Sequence, residues 1–139
     1  MSRYSPTSLR QLPMFASLSR RALAQADALL TPVTFDDGDL LCVEGQWGQE
    51  AFIIVSGTAQ VSRGEELIAT VGRGDIVGEL ALLGDGRRRA SVTAIEPVKA
   101  LVMSAQEFAS VRALPGVDAA VQRVAAAHGA NLASPVAAA

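Results

Sequence analysis

The sequence predicts a mainly β domain flanked by helices, and a change of apolar period carries that prediction. Short runs rich in Val, Ile, Leu and Phe fill the stretch from Val33 to Val102. Gly- and Asp-bearing junctions such as Asp37-Gly38, Glu44-Gly45, Ser56-Gly57, Arg63-Gly64 and Gly72-Arg73-Gly74-Asp75 separate them. Glycine supplies the positive φ of tight turns, and short strands punctuated about every ten residues suit a closed sandwich or barrel rather than a parallel α/β sheet. On either side of that stretch the apolar residues fall at helical spacing instead.

Residues 1–8 are polar and are expected to form a flexible N-terminus. A short segment then carries Leu9, Leu12, Met14 and Phe15, broken by Pro13. Ser19 suits the N-cap of a helix from Arg20 to Leu30, whose Leu23, Ala26, Leu29 and Leu30 share one face, and Pro32 is expected to end it. The β portion spans about 33–103, interrupted by a single helical turn at Glu79 to Leu83. Phe108, Val111 and Leu114 restore the helical period after Ser104, Pro115-Gly116 breaks it, and Val117, Val121 and Val124 mark a last helix ending near His128. His128 is expected to face solvent on that helix. The C-terminal helices thus occupy about 104–128, residues 9–128 form a single domain, and 129–139 read as a flexible tail.

Half of the residues are apolar and 19% are charged, which favours a packed core over disorder. A net charge of -2 argues against nucleic acid as a partner, because a protein that neutralises phosphates needs a basic face. Arg87, Arg88 and Arg89 are too few to supply one. The single cysteine, Cys42, lies in an apolar run and is expected to be a small buried hydrophobe, so neither a disulfide nor a cysteine-based metal cluster is expected. No signal peptide and no membrane-length apolar run is visible, so the expected localisation is cytoplasmic, with no membrane partner. No metal-ligand cluster or nucleophile–base pair stands out, and the reading is not an enzyme.

One segment departs from the rhythm of the strands, from Gly74 through Gly78-Glu79-Leu80-Ala81-Leu82-Leu83 to Arg87-Arg88-Arg89-Ala90-Ser91-Val92. Gly78 permits a sharp turn after a strand, and a short helix follows whose first N–H groups are unpaired and suit an anion. An arginine returned by the glycine-rich loop can grip phosphate oxygens with two charge-assisted hydrogen bonds. Glu79 would be repelled by a phosphate, so it must accept hydrogen bonds, from the arginine or from a ligand hydroxyl. A ribose phosphate satisfies all three groups.

Gly78-Glu79-Leu80-Ala81-Leu82, a short loop and Arg88-Arg89-Ala90-Ser91-Val92 closely resemble the phosphate-binding cassette of cyclic-nucleotide-binding domains. Those are the modules of protein kinase A regulatory subunits, cyclic-nucleotide-gated channels and the bacterial catabolite activator. Met14-Phe15, Leu18, Gly38, Glu44-Gly45 and Gly57 before Ala59-Gln60-Val61 extend the resemblance over about residues 9–112. It implies an antiparallel β-roll of the jelly-roll type with N-terminal helices, a short phosphate-binding helix and C-terminal lid helices. It further implies that Glu79 accepts the ribose 2′-hydroxyl and that the backbone of Gly78, Leu80 and Ala81 lines phosphate and ribose. Ala90 and Ser91 would lie near phosphate and base. The Glu79-to-Arg88 spacing matches the shorter loop of the kinase and channel domains, and Glu79 to Arg89 the longer loop of the catabolite activator. The downstream residues keep step with the family when Arg88 holds the phosphate. Arg89 stands where the family has a small residue that helps choose the base.

The function expected from the resemblance is a stand-alone sensor or regulatory domain. It would bind 3′,5′-cyclic AMP, or less readily cyclic GMP, and signal through its C-terminal helices with Pro115-Gly116 as the hinge. No cofactor is expected beyond that ligand, and a further partner would be another protein or a second copy of the chain. The rival is a degenerate fold that serves as a protein-interaction module without ligand. For Trp47, stacking on a base competes with covering the roll or meeting a partner.

Overall fold

The computed structural model describes residues 6–133, and its centre is a pair of four-stranded antiparallel sheets. One sheet has the order β1-β8-β3-β6, built from β1 (Thr31–Phe35), β8 (Val98–Ser104), β3 (Glu50–Ser56) and β6 (Ile76–Val77). The other has the order β2-β7-β4-β5, from β2 (Leu40–Cys42), β7 (Ser91–Ala94), β4 (Ala59–Arg63) and β5 (Glu66–Val71). This is the β-roll expected from the sequence. The helix from Arg20 ends at Ala28, short of the expected Leu30, and Pro32 lies inside β1, an edge strand, where a missing N–H breaks no ladder on the open side.

The first sheet is covered on both faces, which explains why β3 reads as an unbroken apolar run. Side chains alternate across a strand. Phe52 and Ile54 of β3 and Val98 and Ala100 of β8 therefore point into the roll, against Leu41, Cys42, Ala59, Val71, Val77, Val92 and Ala94. Ala51, Ile53 and Val55 of β3, with Leu101 and Met103 of β8, point outward to a second core made with the helices.

Those helices are α1 (Pro6–Leu9), α2 (Arg20–Ala28), α4 (Ala105–Arg112) and α5 (Val117–Ala133), with a 3-10 turn at Pro13–Phe15. Ser19 caps α2 by accepting from the Ala22 N–H, and Ser104 and Glu107 form a reciprocal capping box at α4. Leu9, Leu12, Phe15, Leu23, Leu30, Phe108, Val111, Val117 and Val121 fill the outer core, so chain segments far apart in sequence share one apolar layer.

The ends differ from expectation. Pro6–Leu9 is helical, because Leu9 is fully buried in that outer core. Residues 1–5 of the expected flexible N-terminus lie outside the described residues. At the other end α5 runs past His128 to Ala133, since alanine is the strongest helix former and Asn131 and Leu132 reach the roll. Residues 134–139 of the expected tail lie outside the described residues. Among the described residues, no helix is long and apolar enough to cross a membrane.

Candidate ligand-binding site

Between β6 and β7 the chain leaves the sheets and forms α3 (Glu79–Leu83), which the roll and α5 enclose as one wall of a pocket. Gly78 precedes α3 with φ of 86°, and a Cβ there would lie 2.8 Å from both Arg88 Nη1 and the Glu50 carbonyl. Only glycine has both the conformation and the room.

The returning loop is held like a short strand. The segment around Gln46 runs antiparallel to residues 86–88 through Gly48 N–H to the Gly86 carbonyl (2.7 Å) and Arg88 N–H to the Gln46 carbonyl (2.8 Å). Gly45 N–H then donates to the Arg88 carbonyl (2.9 Å). With its backbone fixed, Arg88 turns its guanidinium inward, donating from Nη1 to the Gly78 carbonyl at 2.9 Å and from Nη2 to the Glu50 carbonyl at 2.8 Å. The residue is only 8% exposed. A charge so buried is costly unless an anion or fixed dipoles meet it. Gly48 passes so close that a Cβ would lie 2.6 Å from the Arg88 guanidinium carbon.

The three arginines of the loop have three environments. Arg88 is buried in the pocket, and Arg89 is exposed but contributes to the pocket lining. Arg87 lies over the exposed Trp47 ring at 4.1 Å and donates to the Gly45 carbonyl. Trp47 is not among the pocket-lining residues; it packs under Arg87 and beside Gly86, where a Cβ would lie 2.9 Å from the ring.

Glu79, the first residue of α3, is fully buried. Its Oε2 accepts from His128 Nδ1 at 2.6 Å, whereas its Oε1 is buried with no partner. His128 is therefore not the solvent-facing residue expected from helical spacing. It lies on the inner side of α5, and the hydrogen bond to Glu79 raises its pKa above the ordinary 6.5 despite the opposing effect of burial.

Val77, Gly78, Glu79, Leu80 and Ala81 form one wall of the pocket, and Arg88, Arg89 and Ala90 form another. Cys42, Val61, Ile68, Ala69, Val71 and Val92 of the roll supply an apolar floor, and His128, Asn131 and Leu132 of α5 close over it. The space between these walls, counted with the open solvent at its mouth, is about 550 Å³. Burial pushes the Cys42 thiol up to about 11, with Arg88 acting in the opposite direction, so it stays protonated at neutral pH.

Of the residues singled out from sequence, Gly78, Glu79, Leu80, Ala81, Arg88, Arg89 and Ala90 meet in this pocket. Ser91 departs: its hydroxyl accepts from the Glu44 N–H at 3.0 Å, and it is not among the lining residues. β7 has already begun there, and alternation gives the inward position to Val92. The apolar floor was visible only as strand residues, and Asn131 and Leu132 carried no sequence signal at all.

The profile of the cyclic nucleotide-binding domain family matches residues 32–113, more than half of the chain. The protein belongs to that family. A cAMP-dependent protein kinase regulatory subunit from Hypocrea atroviridis is 34% identical over 100 residues, covering 72% of this chain and 22% of the relative. The chain spans between 17% and 24% of the length of such curated relatives, which are regulatory subunits. The solved structure of cAMP-bound PfPKA-R (141–441) superposes with a TM-score of 0.83 at 22% identity, covering 93% of this chain and 45% of that one, and so shares the fold. The regulatory subunit of a cAMP-independent protein kinase A from Trypanosoma brucei is also similar, with a TM-score of 0.74 and 25% identity over 83% of this chain and 44% of that one.

Proposed function

We propose that the domain is a regulatory sensor that binds a 3′,5′-cyclic nucleotide, cyclic AMP above all, in the pocket between α3, the roll and α5. The observation that carries this is a buried arginine and a buried carboxylate with an unpartnered oxygen in one pocket with an apolar floor. Arg88 turns from backbone carbonyls to the cyclic phosphate, with the backbone at Gly78, Leu80 and Ala81 lining phosphate and ribose. Glu79 Oε1 accepts the 2′-hydroxyl, which satisfies an oxygen that otherwise stays desolvated at a cost of about 1–3 kcal/mol. Ala90 and the apolar floor receive the base, and Arg89 stands at the edge of the pocket. α5 acts as the lid, and its movement about Pro115-Gly116 reports occupancy to a partner protein or a second copy.

Calorimetry with cyclic AMP, cyclic GMP and cyclic dinucleotides tests the reading. Arg88→Ala removes one partner of a buried charge pair, about 2–5 kcal/mol, and affinity is expected to fall by tens- to thousands-fold. Arg89→Ala is expected to retain phosphate binding; the opposite ranking assigns the phosphate to Arg89. The second reading, an interaction module without ligand, draws on the exposed Trp47 beneath Arg87. Thermal shift with the same panel separates the two, because a ligand that binds only the folded state must raise the melting temperature.

A further inference from the structure

His128 and Glu79 stand 49 positions apart in sequence, on α5 and α3, yet meet at 2.6 Å beside the pocket. The carboxylate of Glu79 has two oxygens with different fates: Oε2 is taken by the imidazole and Oε1 is left buried and unpartnered. A glutamate with three rotatable bonds needs a second contact to present one oxygen to a ligand, and the structure supplies only the one from His128. The same contact fixes α5, whose next turn brings Asn131 and Leu132 over the pocket.

We propose that His128 is the positioning residue of this pocket: it holds Glu79 by Oε2, leaves Oε1 for the ligand hydroxyl, and thereby makes lid closure and ribose recognition one event. The inference rests on the cyclic-nucleotide reading and adds to it the residue that links α5 to the ribose.

A lid held in this way is proton-linked. The acids acting on the imidazole are Glu79 of α3 and Asp75 just before β6, both of which favour its charged form. Arg88 and Arg89 line the same pocket, and Cys42 of β2 stays neutral. β5 brings Ile68, Ala69 and Val71, all without charge, and the 3-10 turn Pro13–Phe15 carries no ionisable side chain. The charges of α4 nearest α5 meet it elsewhere, where Arg112 pairs with Asp118. Asp118 is ten residues before His128, roughly 15 Å along the helix. The imidazole's pKa in the closed lid is raised, so closure is favoured below about pH 6.5 and weakens as pH rises through the raised value.

The test compares cyclic AMP with 2′-deoxy cyclic AMP on wild type, His128→Ala and His128→Asn, at pH 6 and pH 8. Wild type is expected to prefer the hydroxyl-bearing ligand by about tenfold, the worth of one charge-assisted hydrogen bond, and to bind more tightly at pH 6. His128→Ala is expected to lose both properties. His128→Asn puts an amide N–H about where Nδ1 stands but cannot titrate, so it is expected to keep the hydroxyl preference and lose the pH dependence. A His128→Ala domain with the wild-type preference and pH profile overturns the inference and leaves the cyclic-nucleotide reading intact. Wild type that binds no cyclic nucleotide overturns the functional reading and the ligand role of His128 together. A ligand-free measurement stands apart from both. His128 is the only histidine in the chain, so its imidazole NMR titration is unambiguous. It is expected above 6.5 in wild type and lower in Glu79→Gln, where burial acts without the carboxylate, and an ordinary value in wild type sinks the latch.

Discussion

Arg88 reaches the pocket because two glycines leave space that any side chain would take. The three atoms nearest a Cβ at Gly48 all belong to the far end of the arginine, the closest at 2.6 Å. Gly48→Ala is therefore expected to shift the melting temperature by less than about 3 °C, since a flexible side chain can move aside, while displacing the phosphate-holding group. Affinity for cyclic AMP is expected to fall at least about tenfold, the worth of one charge-assisted hydrogen bond at the low end of its range; unchanged affinity by calorimetry counts against Arg88 as the anchor. Gly57 contrasts with it. Its φ is 90°, and a Cβ there would stand 2.2 Å from the Pro97 carbonyl oxygen and 2.9 Å from Val98 Cα, both backbone. Nothing there can swing away, so Gly57→Ala is expected to destabilise by about 3 kcal/mol or more in denaturant melts. A loss under 1 kcal/mol would show that the β3–β4 connection can rebuild.

At the scale of elements, α5 has two attachments of different kind. Near its start Val117 and Val121 are buried in the outer core, and Arg112 of α4 pairs with Asp118 at 2.7 Å. Near its end it touches the roll through His128, Asn131 and Leu132 at the pocket. The first attachment rests on buried apolar residues beside one partly exposed ion pair, whereas the second depends on one polar contact and on what fills the pocket. Gly116, at φ 81°, separates α5 from α4. Ligand is therefore expected to slow amide exchange in the second half of α5 more than around Val117–Val121, measured by mass spectrometry. Equal protection along the helix, or none, argues against a lid. Removing the cap at α4 is a separate matter: Ser104→Ala loses one half of a capping box and is expected to cost about 1 kcal/mol of stability without altering ligand affinity.

For the whole molecule, the two cores share a sheet, so the roll and the helices are one mechanical unit. Ala51, Ile53 and Val55 of β3 face the helices while Phe52 and Ile54 face the inside of the roll. The α3–α5 contact adds a pH-dependent contribution to that unit. The pKa of His128 is raised in the folded state, so its stabilisation is complete below about pH 6.5 and is lost as pH climbs through the raised value. The melting temperature of the ligand-free domain is expected to fall more between pH 6 and pH 8.5 in wild type than in His128→Asn. Identical pH curves for the two proteins would show that the contact carries no folding energy.

The sequence by itself determined the roll, its helical flanks and the cassette, because turn glycines, strand period and capping serines act over a few residues. Ser19, Ser104, Gly78 and the run Gly78 to Arg88 are of that kind. It also favoured Arg88 over Arg89 by spacing alone. Only the tertiary structure decided which strands pair and which faces they bury, that Ser91 turns to the Glu44 N–H, and that α5 continues to Ala133. His128 is the sharpest instance. Helical spacing gives a residue its face on a helix, but what lies opposite that face depends on where the helix docks. Here the 3-10 turn, α4 and the outer core bring α5 across the pocket, and a residue expected in solvent becomes the partner of a buried glutamate.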